Sequence, residues 1–85
     1  MLLGDPTPPV IRNLTHETVQ VFVIGYEDDG TDRLIFELPA SDDMTLPPEF
    51  DCSAPMEART LEGGVVERRD EPLCQDDVWD IDRSP

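Results

Sequence analysis

The sequence has no lysine, a single histidine and few aromatic residues, and these shortages exclude several classes of function. Of its 85 residues, 20 are acidic and 6 are basic, so the formal net charge is −14. All six basic residues are arginine. A protein that neutralises nucleic-acid phosphates needs a basic surface, so this composition excludes nucleic acid as a partner of that kind. It also disfavours docking on anionic membranes.

Long hydrophobic runs are missing as well. The longest apolar run, residues 21–24, is far too short to cross a bilayer as a helix. Residues 1–6 lack the basic start and the apolar stretch of a secretory signal peptide. We therefore expect no membrane insertion, and a cytoplasmic location if Met1 is the native start.

Residues that carry catalysis or bind metals are scarce. His16 lacks the neighbouring nucleophile and acid of a catalytic group, and we interpret it as an exposed turn residue. One histidine and two cysteines do not complete a four-ligand zinc site. The acidic loop at residues 27–32 does not match an EF-hand, because Gly25 and Phe36 occupy positions that need acidic residues. Two other interpretations of this loop remain, a weak surface cation site and a solvated hairpin tip. We expect no enzyme activity, no cofactor and no metal.

The acidity itself has more than one explanation. Aspartate (12 residues) outnumbers glutamate (8 residues), and the absence of lysine is typical of a GC-rich prokaryotic genome or of a salt-adapted cytoplasm. A surface selected to bind a basic partner is the third explanation. The charge is uneven, because residues 1–26 carry a net −1 and residues 27–85 a net −13.

Short segments of alternating apolar residues are what the chain does contain. Residues 18–26 are apolar on both faces towards their end, which predicts a central strand. The Asp-Gly turn at residues 27–32 joins them to an alternating segment at 33–38, which predicts a hairpin. Residues 77–82 alternate too, with Trp79 as a core anchor. Weaker strand patterns lie at residues 10–14, 44–46, 56–61 and 65–68.

Six or seven short strands without a helical apolar period predict an all-β fold, a small antiparallel β-sandwich. The prolines of residues 1–9 predict an extended lead-in, followed by a single domain at residues 10–85. The residues expected in the core are Val19, Val21, Val23, Leu34, Phe36, Leu38, Trp79 and Ile81.

Three stretches of the chain resemble a known family. They read I-R-N-x-T…V-x-V in residues 11–23, F-E-L-P-A in 36–40, and E-P-L-C…D-x-W-x-I in 71–81. This pattern resembles small immunoglobulin-like β-sandwich domains of high-GC bacteria. The resemblance implies an immunoglobulin-like sandwich and a disulfide bond between Cys52 and Cys74, and it brings no catalytic residue. A small domain gains much from such a bond, and two free thiols in a reducing cytosol are the alternative.

These observations predict a non-enzymatic acidic β-sandwich that serves as a structural or accessory interaction module with a protein partner. The alternative is an acidic inhibitor or decoy, of the DNA-mimic or immunity type, that covers a basic site on its partner. The candidate acidic interaction face of such a decoy consists of Asp76, Asp77, Asp80 and Asp82. The alternative is that these residues form an ordinary solvent-exposed face of a strand. A decoy needs its acidic residues on one face of the protein, whereas a GC-rich genome or salt adaptation scatters them over the surface.

Overall fold

The computed structural model describes residues 7–53 and 55–82, and its regular structure is almost entirely β-strand. Seven strands follow one another along the chain, with one short 3-10 turn between the fourth and the fifth: β1 (Val10–Asn13), β2 (Val19–Val23), β3 (Arg33–Leu38), β4 (Asp43–Thr45), the 3-10 turn (Pro48–Phe50), β5 (Met56–Thr60), β6 (Val65–Arg69) and β7 (Val78–Ile81). Within the described ranges there is no α-helix, and no helix long and apolar enough to cross a membrane. The prediction of an all-β fold with six or seven short strands is confirmed.

The strands form two sheets that share one core. The four-stranded sheet has the order β3-β2-β5-β6 and is antiparallel throughout. In the three-stranded sheet, of order β4-β1-β7, β1 pairs antiparallel with β4 and parallel with β7. Trp79 of β7 is buried and donates from its indole nitrogen to Glu67 of β6 at 2.7 Å, which ties one sheet to the other. The chain is therefore a β-sandwich with β2 in the interior of its sheet, as predicted.

One residue predicted for the core lies outside it. Leu34 is 43% exposed, whereas Leu38 on the same strand is fully buried and Phe36 packs half-buried against the core. The pairing of β2 with β3 shifts by one residue, so that Val21 faces Phe36 but Phe22 faces Leu34. Directly opposite residues share a face, and this bulge therefore moves Leu34 to the outer face of the sheet. The prediction for Leu34 was wrong because this bulge interrupts the alternation of β3, and it arises in the pairing with β2, which the pattern of β3 alone does not reveal.

Several core residues come from outside the strongest strand patterns. Ile11, Met56 and Ala58 are fully buried on β1 and β5. Leu46, Phe50 and Leu73 are buried in the connections between strands. The ring of Phe50 also lies 5.1 Å from that of Tyr26, centroid to centroid. Phe50 and Leu73 lie outside every predicted strand segment, whereas Leu46 ends the segment predicted at residues 44–46.

The predicted lead-in is described only in part. Residues 1–6 lie outside the described residues, as do residues 83–85 of the predicted domain. Residues 7–9 have no regular secondary structure, in agreement with their prolines. Pro9 is nevertheless buried, and its carbonyl accepts a hydrogen bond from the Leu46 amide at 2.8 Å. The end of the lead-in is thus part of the folded domain.

Candidate functional site

Three chain segments meet at one end of the sandwich, and we call this region the disulfide end. It consists of residues 7–9, 46–53 and 73–77. Cys52 and Cys74 form a disulfide bond there, with their Cα atoms 4.1 Å apart. The pairing that the family resemblance implied is therefore present. Cys52 has a backbone φ of 60° and is solvent-exposed, so the bond lies at the surface.

Backbone hydrogen bonds reinforce the disulfide end. The Cys52 amide donates to the Leu73 carbonyl at 2.8 Å, and the Leu73 amide donates to the Ser53 carbonyl at 3.4 Å. Thr7 and Asp76 exchange two bonds: the Asp76 amide donates to the Thr7 carbonyl at 2.8 Å, and the Thr7 amide donates to Asp76 Oδ1 at 3.1 Å. Each of the three segments is therefore bonded to another, and the region has a fixed shape although it contains almost no strand.

A cavity of about 180 Å³ opens to solvent between these segments. Its walls are Pro8, Pro9, Leu46, Pro48, Asp51 and Gln75. Asp51 is the charged residue among them, and its Oδ1 atom is buried with no hydrogen-bond partner in the described part of the chain. No arginine lies within two sequence positions of any wall residue. The walls of the cavity are thus mostly apolar, with Asp51 and Gln75 as their polar residues.

Asp80, one of the four predicted interaction residues, is engaged with an arginine on the outer face of the three-stranded sheet. Arg12 donates to both of its carboxylate oxygens, from Nε at 2.6 Å and from Nη2 at 3.0 Å. These hydrogen bonds lower the pKa of Asp80 and raise the pKa of Arg12. The two residues lie opposite each other on the paired strands β1 and β7, so the pairing of the sheet creates this ion pair.

The other predicted interaction residues lie at the start and the end of the same segment. Asp77 caps a turn, because its Oδ2 accepts a hydrogen bond from the Cys74 amide at 2.9 Å, and the same atom lies 3.9 Å from Arg69 Nη2. Asp76 holds the Thr7 amide, as described above. Asp82 is exposed. Three of the four carboxylates therefore take part in internal bonds.

A network of five charged side chains, which the sequence analysis did not predict, covers the outer face of the four-stranded sheet. We call it the outer-face network; its members are Asp32, Glu57, Arg59, Arg68 and Asp70. Arg59 is central, with Nε 2.6 Å from Glu57 Oε1 and Nη2 2.5 Å from Asp32 Oδ2. Arg68 Nε bonds Asp70 at 2.7 Å, and its Nη1 lies 3.8 Å from Glu57 Oε2. The spacing of Glu57 and Arg59 by two residues was the available sequence signal for a shared face.

An aromatic ring supports this network from below. The guanidinium carbon of Arg59 lies 4.2 Å from the centroid of the Phe22 ring, which is the geometry of a cation–π contact. Asp32 and Glu57 hold the two sides of the guanidinium, and they raise the pKa of Arg59. Glu57 is itself only 7% exposed. The network is therefore partly shielded from water, and its charges interact more strongly than fully exposed pairs do.

The network predicts a specific dependence of stability on pH. A hydrogen bond from Arg59, with a second from the Gly25 amide, lowers the pKa of Asp32 below its ordinary value of about 3.9. The Asp32 carboxylate therefore stabilises the fold above that pH, and this stabilisation is lost as the pH falls through the lowered pKa. We expect Asp32→Asn to melt at a lower temperature than the wild type at pH 6, and the two melting temperatures to converge at acid pH. Thermal circular dichroism across this pH range measures the gap, and a gap that does not change with pH would contradict the argument.

The acidic hairpin loop at residues 27–32 uses its carboxylates to hold its own shape. Asp29 accepts hydrogen bonds from the Thr31 amide at 3.0 Å and from the Thr31 hydroxyl at 2.7 Å, and these bonds lower the pKa of Asp29. Asp32 Oδ1 accepts from the Gly25 amide at 2.9 Å.

Among the described residues, no group of three or more His, Cys, Asp or Glu side chains is placed to hold a metal ion. His16 is exposed.

Added salt is expected to stabilise the fold. Each of the five arginines in the described ranges has a carboxylate oxygen within 3.9 Å, yet the chain carries 20 acids. The unfolded chain spreads the remaining charges apart, so repulsion destabilises the compact state more. Between 0.1 M and 1 M salt the Debye length falls from about 10 Å to about 3 Å. The melting temperature should therefore rise with sodium chloride at pH 7, and rise less near pH 3, where carboxylates are protonated; a fall at pH 7 would refute the repulsion account.

Comparisons of the chain with protein-family models, curated proteins and solved structures found no match. The resemblance to immunoglobulin-like domains stays a prediction. In the described part of the chain, two regions hold charged side chains in fixed positions. These regions are the disulfide end, where a buried carboxylate oxygen of Asp51 is unsatisfied, and the outer-face network, whose charges are paired with one another.

Proposed function

We propose that this protein is a non-enzymatic interaction module and that the disulfide end is the surface that binds its protein partner. Binding surfaces often lie on loops that a rigid scaffold positions. At the disulfide end, the disulfide bond and the bonds between residues 7–9, 46–53 and 73–77 provide that rigidity. A surface that is already ordered loses less conformational entropy on binding, which favours affinity.

The observation that carries this proposal is that the disulfide end combines an ordered backbone with a polar atom that has no hydrogen-bond partner. Asp51 Oδ1 has no partner in the described chain, although the surrounding backbone is well bonded. A buried polar atom without a partner costs about 1–3 kcal/mol, so a fold retains one against a penalty. A partner that draws the Asp51 carboxylate out of this buried position and supplies a donor would recover that penalty on binding.

The decoy alternative receives less support from the four predicted aspartates. A phosphate mimic needs a row of carboxylates that are free to meet a basic surface. Asp80 is instead held by two hydrogen bonds from Arg12, and Asp76 and Asp77 bond backbone amides. This arrangement favours an interaction module with a localised binding site over a surface that imitates nucleic acid.

Affinity capture at two salt concentrations tests the proposal. The immobilised protein is exposed to a lysate of the organism of origin, beside a Cys52→Ser/Cys74→Ser double variant that keeps the net charge. We expect a partner that the wild type retains and the variant loses, at a temperature where circular dichroism shows the variant folded. Retention should weaken between about 0.1 M and 1 M salt, as screening increases. A protein retained equally by both baits would bind independently of the disulfide bond and would contradict the proposal.

A further inference from the structure

We propose that the outer edge of β7 binds an extended segment of the protein partner, which pairs with β7 as a fourth strand of the three-stranded sheet. This inference deepens the proposed function and rests on it in one respect, namely that a protein partner exists. Residues 73–77 of the disulfide end lead directly into β7, so a partner seated there can continue along this edge. The free backbone groups of β7, its regular register and the charges beside it carry the inference.

Alternate residues of β7 direct their backbone groups away from β1. The Val10 amide donates to the Asp77 carbonyl at 3.0 Å, and Val10 lies opposite Val78 in the parallel pairing. In such a ladder every second residue bonds the same neighbour, so positions 77, 79 and 81 face β1. The N–H and C=O groups of Val78 and Asp80 therefore point outward, and in the described part of the chain they have no hydrogen-bond partner. A row of unpaired backbone groups is a template for another strand.

The other three edge strands of the described sheets are protected against such pairing. The pairing of β3 with β2 and that of β6 with β5 each contain a register shift. On β4, the Asp43 amide faces away from β1 and donates to the Asp42 carboxylate at 2.9 Å. β7, in contrast, pairs with β1 over four residues without a shift. Bulges and capped amides are ways in which sheets prevent edge pairing, and β7 has neither.

The sandwich has room for a strand beside β7. The three-stranded sheet is one strand narrower than the sheet on which it packs. Trp79 of β7 donates to Glu67 of β6 at 2.7 Å, so the edges of β7 and β6 lie on the same side of the sandwich. No residue of β6 is fully buried, whereas three residues of the neighbouring β5 are. A strand added at β7 would extend the narrower sheet over β6.

The outer face of the three-stranded sheet specifies the side chains of the added strand. One row across this face consists of Asp43, Arg12 and Asp80, so that one arginine lies between two aspartates. A lysine or arginine opposite Asp80 would continue this alternation of charge, and opposite charges on facing strands stabilise a pair. The neighbouring row ends at Val78, which is 52% exposed and which an apolar residue would cover. We therefore expect a segment with an apolar residue and a cationic residue two positions apart.

A second copy of this chain is a poor occupant of the same edge. Two antiparallel β7 strands would bring Asp80 and Asp82 of one copy close to the same residues of the other. Like charges on facing strands are destabilising, and each copy carries a net charge of −14. The charge therefore favours a cationic strand from a different protein.

A synthetic heptapeptide with valine and arginine two positions apart, and threonine elsewhere to favour a strand, tests the inference. Amide hydrogen exchange of the labelled protein should slow at Val78 and Asp80, by about fourfold at a peptide concentration of three times the dissociation constant. Exchange at Trp79, whose amide faces β1, should not change. A peptide with glutamine in place of arginine should bind roughly two- to fivefold more weakly.

Two substitutions of one exposed residue test the edge itself. Val78→Pro removes an outward N–H without removing a bond to β1, as edge strands tolerate, and it should abolish the slowing at Asp80. Val78→Thr keeps the N–H and the branched shape, and it should bind the peptide within about twofold of the wild type. The dispersion of the amide spectrum shows whether each variant is folded.

Peptide analogues test the same pairing in the unaltered protein. Replacing the N–H groups of alternate peptide residues by ester oxygens gives two analogues, and one of them keeps every N–H that faces β7. That analogue should bind, and the other should not. Equal binding of both, or unchanged exchange at Val78 and Asp80 with peptide in excess, would overturn the inference.

Other results separate this inference from the proposed function. A wild-type dimer that Val78→Pro abolishes would overturn the inference, because the edge would then hold a second copy. A captured partner that Val78→Pro retains would overturn the assignment to β7 and leave the interaction module standing. Peptide binding at β7 without any partner that depends on the disulfide bond would support the edge and contradict the proposed function.

Discussion

Replacing Asn13 with alanine is expected to lower the free energy of unfolding by about 3 kcal/mol, because it removes five hydrogen bonds made by a fully buried side chain. Asn13 is fully buried on β1. Its Nδ2 donates to the carbonyls of Glu17 at 2.7 Å, Leu38 at 2.9 Å and Pro39 at 3.1 Å. Its Oδ1 accepts from the amide and the hydroxyl of Thr15, at 3.0 and 2.6 Å. One amide side chain thus joins the three-stranded sheet to the end of β3.

Asn13→Asp tests the same site more severely, because an ionised carboxylate would face carbonyl oxygens that need a donor. We expect a larger loss of stability at pH 7 than for alanine, and a smaller loss near pH 4, where a protonated aspartate can donate one hydrogen bond. Gln75→Glu adds the same charge at an exposed position and should change stability by about 0.5 kcal/mol or less. Urea unfolding monitored by Trp79 fluorescence measures all three variants. If Asn13→Ala unfolds with wild-type stability, the hydrogen bonds of Asn13 do not contribute to the free energy of unfolding.

Loss of the disulfide bond is expected to destabilise the domain by a similar amount. Cys52 and Cys74 are separated by 22 positions, and β5 and β6 lie in the loop that they close. Constraining an unfolded loop of this length contributes about 3 kcal/mol. In a domain of this size that loss lowers the melting temperature by roughly 15 °C. Melting of the wild type with and without a phosphine reductant measures the effect, and intact mass after alkylation confirms that reduction is complete.

The Cys52→Ser/Cys74→Ser double variant provides the control for that experiment. It should melt near the temperature of the reduced wild type, and added reductant should not change it further. Because Cys52 is exposed, the reductant has access to the bond without prior unfolding. A fully reduced wild type that melts at its oxidised temperature would show that the closure of this loop does not contribute to stability.

Much of the fold was predictable, because alternation is a local property of a strand. The predicted segment at residues 33–38 has the bounds of β3, and the Asp-Gly loop before it connects a true hairpin. Trp79 and Ile81 are buried as their alternation predicts. The exposure of Leu34 was not predictable in this way, because it depends on a register shift against β2. Burial of Leu46, Phe50 and Leu73 likewise depends on how connections pack across the end of the sandwich.

The candidate site was predictable only in part. Asp80 was predicted to belong to an acidic interaction face, but the parallel pairing of β1 with β7 places Arg12 beside it. The outer-face network combines Asp32, Arg59 and Arg68 from three different parts of the chain, and only the order β3-β2-β5-β6 brings them together. The special position of Asp51 was not predictable in a sequence with 20 acidic residues. No local sequence feature distinguishes a carboxylate that the fold leaves without a hydrogen-bond partner.

The sequence by itself determined the all-β class, the absence of a basic surface and the excess of negative charge, because these follow from composition and from the period of apolar residues within single segments. Its resemblance to small sandwich domains also implied the bond between Cys52 and Cys74, which the structure contains. Only the tertiary structure decided which carboxylates are neutralised by arginine and which apolar residues close the core. It alone created the cavity beside Asp51, because that cavity forms between three segments that are distant in the chain and that backbone hydrogen bonds and the disulfide bond hold together.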